Sequence, residues 1–89
     1  MPTPEQTAYE ILAIFVHFNN RPGDVLLFQN FMGVWVIRKL KSEDFPPGMQ
    51  YAADHGWVEV LPGGAKFKLT QAGFVEACLA GISHLPRQN

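Results

Sequence analysis

The chain opens on a helical pattern. Ala8, Ile11, Leu12, Phe15 and Phe18 recur three and four residues apart, the spacing that gathers side chains on one helix face. Ile14 and Val16 widen the apolar stripe, while Glu5, Gln6, Glu10, His17 and Asn20 supply polar positions. A helix this broadly apolar is expected at the centre of the core. Thr3 stands as its N-cap and Pro4 at its first helical position, where a missing N–H costs no bond. Gln6 follows the cap by three residues, the spacing of a capping box. Asn19-Asn20-Arg21-Pro22-Gly23 stops the helix.

Residues 25–40 carry two competing patterns. Val34-Trp35-Val36-Ile37 is β-branched and aromatic and reads locally as strand. Gln29, Asn30 and Gly33, however, are spaced one and four apart, which puts them on one polar stripe of an otherwise buried helix. The preferred reading is a very short extended piece near Val25 and Leu26, then a helix from Phe28 to about Leu40, with Asp24 available as a cap.

The next helix is expected from an N-cap at Asp44. Pro46 and Pro47 then fall where backbone N–H groups have no intrahelical partner. Phe45, Met49, Ala52 and Ala53 share an inward face, and Pro47, Gln50, Tyr51 and Asp54 an outward one. Gly56 ends the helix as a left-handed cap, since glycine takes that turn most easily. Trp57 to Leu61 and Lys66 to Leu69 alternate about a Pro62-Gly63-Gly64-Ala65 turn, which predicts a hairpin. Lys66 and Lys68 share one face of it and Phe67 and Leu69 the other. Thr70 caps a last helix with Phe74, Cys78 and Leu79 as an apolar stripe, Ala77 and Ile82 beside it, and Gly81 at its end. The fold class is α+β, mostly α, in one domain over 1–89, with 84–89 expected as a frayed tail.

Composition narrows the function classes. Hydrophobic residues make up 47% of the chain, enough for a core but a modest one at 89 residues. Seven Lys plus Arg stand against eight Asp plus Glu, so any nucleic-acid role rests on local clustering and not on a global basic excess. Cys78 is the single cysteine, which rules out an intrachain disulfide and fits a reducing, cytoplasmic setting. The first residues lack the basic segment of a secretory signal. The apolar run 25–37 is shorter than the roughly 20 residues a membrane helix needs, so no membrane contact is expected. No internal repeat or low-complexity tract is present.

The order helix, helix, helix, hairpin, helix is that of a winged helix-turn-helix. Three features resemble the bacterial winged-helix regulators of the PadR and MarR type. These are Gly56-Trp57-Val58-Glu59 leaving a short helix, the Gly-bearing wing Pro62-Gly63-Gly64, and the aromatic-x-Leu-Thr-x-x-Gly element Phe67 to Gly73. The resemblance covers about residues 42 to 80. It implies a DNA-binding transcriptional regulator, with the third helix in the major groove and the wing on the backbone. Carried over by position, Ser42, Gln50 and Tyr51 would meet DNA from the helix, and Lys66 and Lys68 from the wing. Arg38, Lys39 and Lys41 would meet phosphates from the connection before the helix. It also implies a homodimer through the last helix, with Phe74, Cys78 and Ile82 at the interface.

The charges pull the other way. The third helix and its approach carry Glu43, Asp44 and Asp54, with no Arg or Lys within the helix. From 38 to 68 five basic residues stand against four acidic. Lys66 and Lys68 also read as a solvated strand face, one of them opposite Glu59. The alternative is therefore a winged-helix protein–protein interaction module with no direct DNA contact, using Pro47, Gln50, Tyr51 and Asp54. Trp35, Phe31, Met32 and Trp57 read as core. His17, His55, His84 and Cys78 fall in no metal-ligand spacing, and Cys78 on an apolar stripe reads as an inert buried thiol. No phosphate loop, nucleophile elbow or carboxylate pair is present, so neither an enzyme nor a cofactor is expected.

Overall fold

The computed structural model describes residues 2–82, so the tail at 84–89 lies outside the described residues. Among the described residues the chain is α+β and mostly helical, with four α-helices and a small antiparallel sheet. Helix α1 spans Pro4–His17 and opens on the anticipated capping box. Gln6 N donates to Thr3 Oγ1 at 3.1 Å, and Thr3 N donates to Gln6 Oε1 at 2.9 Å. Seven of its residues are buried, including Ile11, Leu12, Ile14 and Phe15. Phe18, read as part of that stripe, instead sits at the C-cap and is exposed, because the helix ends one residue before it.

Strand β1 (Val25–Leu27) leads directly into α2 (Phe28–Ile37). Asp24 caps no helix. Its carboxylate accepts from Arg21 N at 2.8 Å and closes the preceding turn. The entry to α2 is held from inside instead, where Asn30 Oδ1 accepts from Leu27 N at 2.8 Å. Helix α2 stops at Ile37, short of the anticipated Leu40. Lys39 takes a left-handed backbone with φ 59, and Leu40 N donates back to Trp35 O at 2.9 Å. That reversal returns Leu40 to the core, and Trp35 Nε1 donates to Lys41 O at 2.8 Å to fix the chain beyond it.

A 3-10 turn at Ser42–Asp44 precedes α3 (Phe45–Asp54). Asp44 occupies the N-cap position, yet its side chain makes no capping bond. A capping oxygen binds the N–H of the second or third helical residue. Here those residues are Pro46 and Pro47, which have none. Gly56 ends α3 with φ 72, and Trp57 N donates to Ala52 O at 2.9 Å, the Schellman closure that residues 19, 39 and 81 repeat at the other helix ends.

Strands β2 (Val58–Val60) and β3 (Lys66–Leu69) form the hairpin, and helix α4 runs Gln71–Leu79. The strand order is β1-β3-β2, so β1 pairs with the hairpin and makes β3 the central strand. In this register Leu26, Phe67 and Val60 lie side by side on the inner face, next to Leu69 and Val58. Val25, Lys68 and Glu59 line up on the outer face. Under the sheet the rings of Phe15, Phe31, Phe45, Phe67 and Trp35 meet edge-on or tilted, with centroids 5.2–5.8 Å apart. Phe31, Trp35 and Trp57 are thus core residues, with Met32 packed at its margin.

Two glycines set how closely the layers approach. Gly48 of α3 faces Thr7 of α1, and a Cβ there would overlap the Thr7 side chain and lie 3.2 Å from its carbonyl carbon. Gly73 of α4 lies against the Trp57 backbone so closely that a Cβ would collide with its carbonyl oxygen. No helix among the described residues is long and apolar enough to cross a membrane.

In an exposed helix, Gly to Ala stabilises by about 1 kcal/mol. At both of these positions the sign is expected to reverse. Gly48→Ala and Gly73→Ala should each destabilise by roughly 2 kcal/mol or more, because backbone would have to separate. Lys39→Gly should instead stabilise by about 0.5–1 kcal/mol by relieving the left-handed lysine. Urea unfolding midpoints check all three, and a neutral Gly73→Ala would refute the close docking of α4.

Candidate functional site

The structure distributes the eight candidate DNA-contact residues unevenly. Arg38 follows α2, and its Nη1 donates to Glu10 Oε1 of α1 at 2.6 Å. Lys39 occupies the left-handed turn, and Lys41 and Ser42 are exposed in the segment that follows. On α3, Gln50 points outward, but its Nε2 donates to Asp54 Oδ1 at 2.7 Å. Tyr51, read as outward, is half-buried. It stacks on His55 with ring centroids 4.0 Å apart and packs against Trp57, because the helix rotates that position toward the first residue of the hairpin. Lys68 is half-buried on the central strand between Val25 and Glu59, with its Nζ 3.5 Å from Glu59 Oε1. Lys66 is exposed opposite Leu27 and makes no ion pair among the described residues. Exposed pairs of this kind contribute at most about 1 kcal/mol to stability. Two of the five cations from 38 to 68 are thus paired with carboxylates.

The space between α3 and the hairpin is apolar. Phe28, Phe45, Pro46, Met49, Val60 and Phe67, with Gln50 and Gly64 at the edge, line an open hollow of about 250 Å³. Phe28 and Val60 each remain 43% exposed there. A further depression lined by Leu27, Phe28, Gln29, Ala65 and Lys66 adjoins it at Phe28. Sequence reasoning did not reach this hollow. Phe28 looked like the start of a buried helix, and Val60 like an ordinary strand residue. Only the pairing of β1 with β3 brings them together.

A second concavity of about 430 Å³ lies between α1 and the chain that follows α2. Tyr9, Trp35 and Leu40 form its apolar walls, and Gln6, Glu10 and Asp44 its polar margin. Tyr9 O–H donates to Glu76 Oε2 of α4 at 2.7 Å. That bond above all, then burial and the charges of Glu76 and Glu5, pushes the phenol from 10.0 up to about 12.

Of the three interface residues anticipated on α4, Phe74 and Ile82 are partly buried and pack against the core, while Cys78 is exposed. The buried-thiol reading is therefore wrong. Gly73 and Ala77 face inward, which turns Val75, Cys78 and Leu79 toward solvent. The stripe of Phe74, Cys78 and Leu79 spans two helix sides. His17 and His55 are exposed, His84 lies outside the described residues, and no three His, Cys, Asp or Glu side chains among those described could hold a metal ion.

The Tyr9 bond predicts a pH dependence. A phenol raised in the folded state adds stability that is fully present below pH 10, where neither state ionises, and is lost as pH rises toward about 12. Tyr9→Phe should remove this alkaline dependence and lower stability by about 1–2 kcal/mol. Urea titrations of both proteins across this range, with phenolate absorbance followed in a Tyr51→Phe background, check the effect. A Tyr9 that ionises at its ordinary value would refute it.

Compared with known protein families, curated proteins and solved structures, the chain matches none, so its own geometry carries the functional reading.

Proposed function

We propose that this chain is a non-enzymatic, winged-helix-type interaction module that docks a protein partner on the face between α3 and the hairpin. The observation that carries the reading is the apolar hollow lined by Phe28, Met49, Val60 and Phe67. The element order and the three-stranded sheet are compatible with a winged-helix layout. At about 250 Å³ the hollow falls below the roughly 300–1,000 Å³ usual for small-molecule sites. It suits one large apolar anchor side chain of the kind that dominates protein interfaces. Lys66, exposed beside Phe28 and unpaired among the described residues, favours a partner with a carboxylate next to that anchor. The single thiol fits a reducing compartment.

Selecting random peptides displayed on phage against the full chain tests this. Peptides with an apolar anchor beside an acidic residue should be enriched, and Val60→Glu should weaken them by about tenfold or more, near 1.4 kcal/mol. Lys66→Glu should shift the preference away from acidic neighbours. Equal enrichment on wild type and Val60→Glu would overturn the reading.

DNA-binding regulation is the second reading, favoured by the exposed Lys39, Lys41 and Lys66 and by the solvent-facing Gln50. It requires Gln50 to leave Asp54, and phosphates to compete with Glu10 and Glu59 for Arg38 and Lys68. Duplex binding that weakens steeply with salt and is lost in Lys66→Glu would establish it over the first.

A further inference from the structure

The cleft between α1 and the chain that follows α2 is independent of the docking face. We propose that it binds a small organic cation, an ammonium or amidinium group carried on an aromatic or apolar body. Its volume of about 430 Å³ lies inside the range of small-molecule sites. Pro2, Tyr9, Trp35 and Leu40 make up the apolar part of the lining, which suits an apolar body.

Hydrogen-bond accounting fixes the sign of the ligand. The Tyr9 hydroxyl proton goes to Glu76, and the Trp35 indole N–H goes to the Lys41 carbonyl. Gln6 spends its side-chain oxygen on the capping box, leaving its amide N–H₂ and the Thr7 hydroxyl as the neutral donors in the lining. Glu10 is held by Arg38 through one oxygen only. Asp44 is the decisive group. Pro46 and Pro47 remove the N–H groups its carboxylate would otherwise cap, so it lines the cleft with no hydrogen-bond partner among the described residues. The margin is thus rich in acceptors and carries one carboxylate beyond the Glu10–Arg38 pair. An anion would be repelled here, and a neutral apolar ligand would leave the Asp44 carboxylate unsatisfied as water is displaced.

The test is an NMR titration of the full-length ¹⁵N-labelled chain with phenethylamine and benzamidine. N-acetylphenethylamine serves as the uncharged control and phenylacetate as the anionic one. Saturable shifts are expected at the Trp35 indole N–H and the Leu40 and Asp44 amides, with both controls weaker by about tenfold or more. Asp44→Asn should weaken amine binding by a similar factor while leaving the spectrum otherwise native, because that carboxylate caps nothing. The proposal is overturned by the absence of saturable shifts up to about 10 mM, by an equal response to N-acetylphenethylamine, or by unchanged binding in Asp44→Asn.

Discussion

The side chain that Gly48 lacks determines how deeply α3 sinks onto α1. With Thr7 directly beneath it, the two helices meet at a separation that any larger residue would prevent. Much follows from that contact. Phe45, at the start of α3, is carried into the aromatic core against Phe31, Phe67 and Trp35. Tyr51, near its end, is turned toward Trp57. A helix pulled in this far shows solvent only a narrow strip of Pro46, Pro47, Gln50 and Asp54, which limits what it can offer a groove or a partner.

A second close approach locks the other end of the chain. Thr70 accepts from Gly73 N at 3.0 Å and sets its hydroxyl against the carbonyls of Gly56 and Trp57, while Gly73 lets α4 rest on that same backbone. The helix is thereby aimed so that Glu76 reaches Tyr9, joining the first and last helices through a charge-assisted bond. The helix–sheet junction at Trp57 is consequently the point where α3, the hairpin and α4 are all held.

Small size explains the surface. A domain of 89 residues has limited interior, and the apolar residues it cannot enclose appear at the margins, as Phe28 and Val60 do beside the hollow. Two of the cations expected to meet phosphate are occupied, Arg38 by Glu10 and Lys68 by Glu59. Apolar exposure together with neutralised charge is what turns the functional reading from nucleic acid toward protein.

Much of the local structure was legible in the residues themselves. The capping box at Thr3, the left-handed glycine at 56, the hairpin turn at 63–64 and the Thr70 cap each depend on neighbours within a few positions, where backbone stereochemistry leaves little choice. Asp44 was expected to cap α3, and its silence was not anticipated, although Pro46 and Pro47 lack the N–H groups a cap would bind. Tertiary structure decided the rest. Whether Arg38 and Lys68 are free, whether Tyr51 faces outward, and whether Cys78 is buried depend on groups far away in sequence or on the rotation of a helix against its neighbours. Hydrophobic periodicity names an inward face only to within a helix side, so Phe74 and Cys78 could be assigned together and still part company. The two concavities exist only once β1 pairs with β3 and α1 meets the chain after α2. Spacing along a chain specifies which residues share an element, and packing alone specifies which elements share a site.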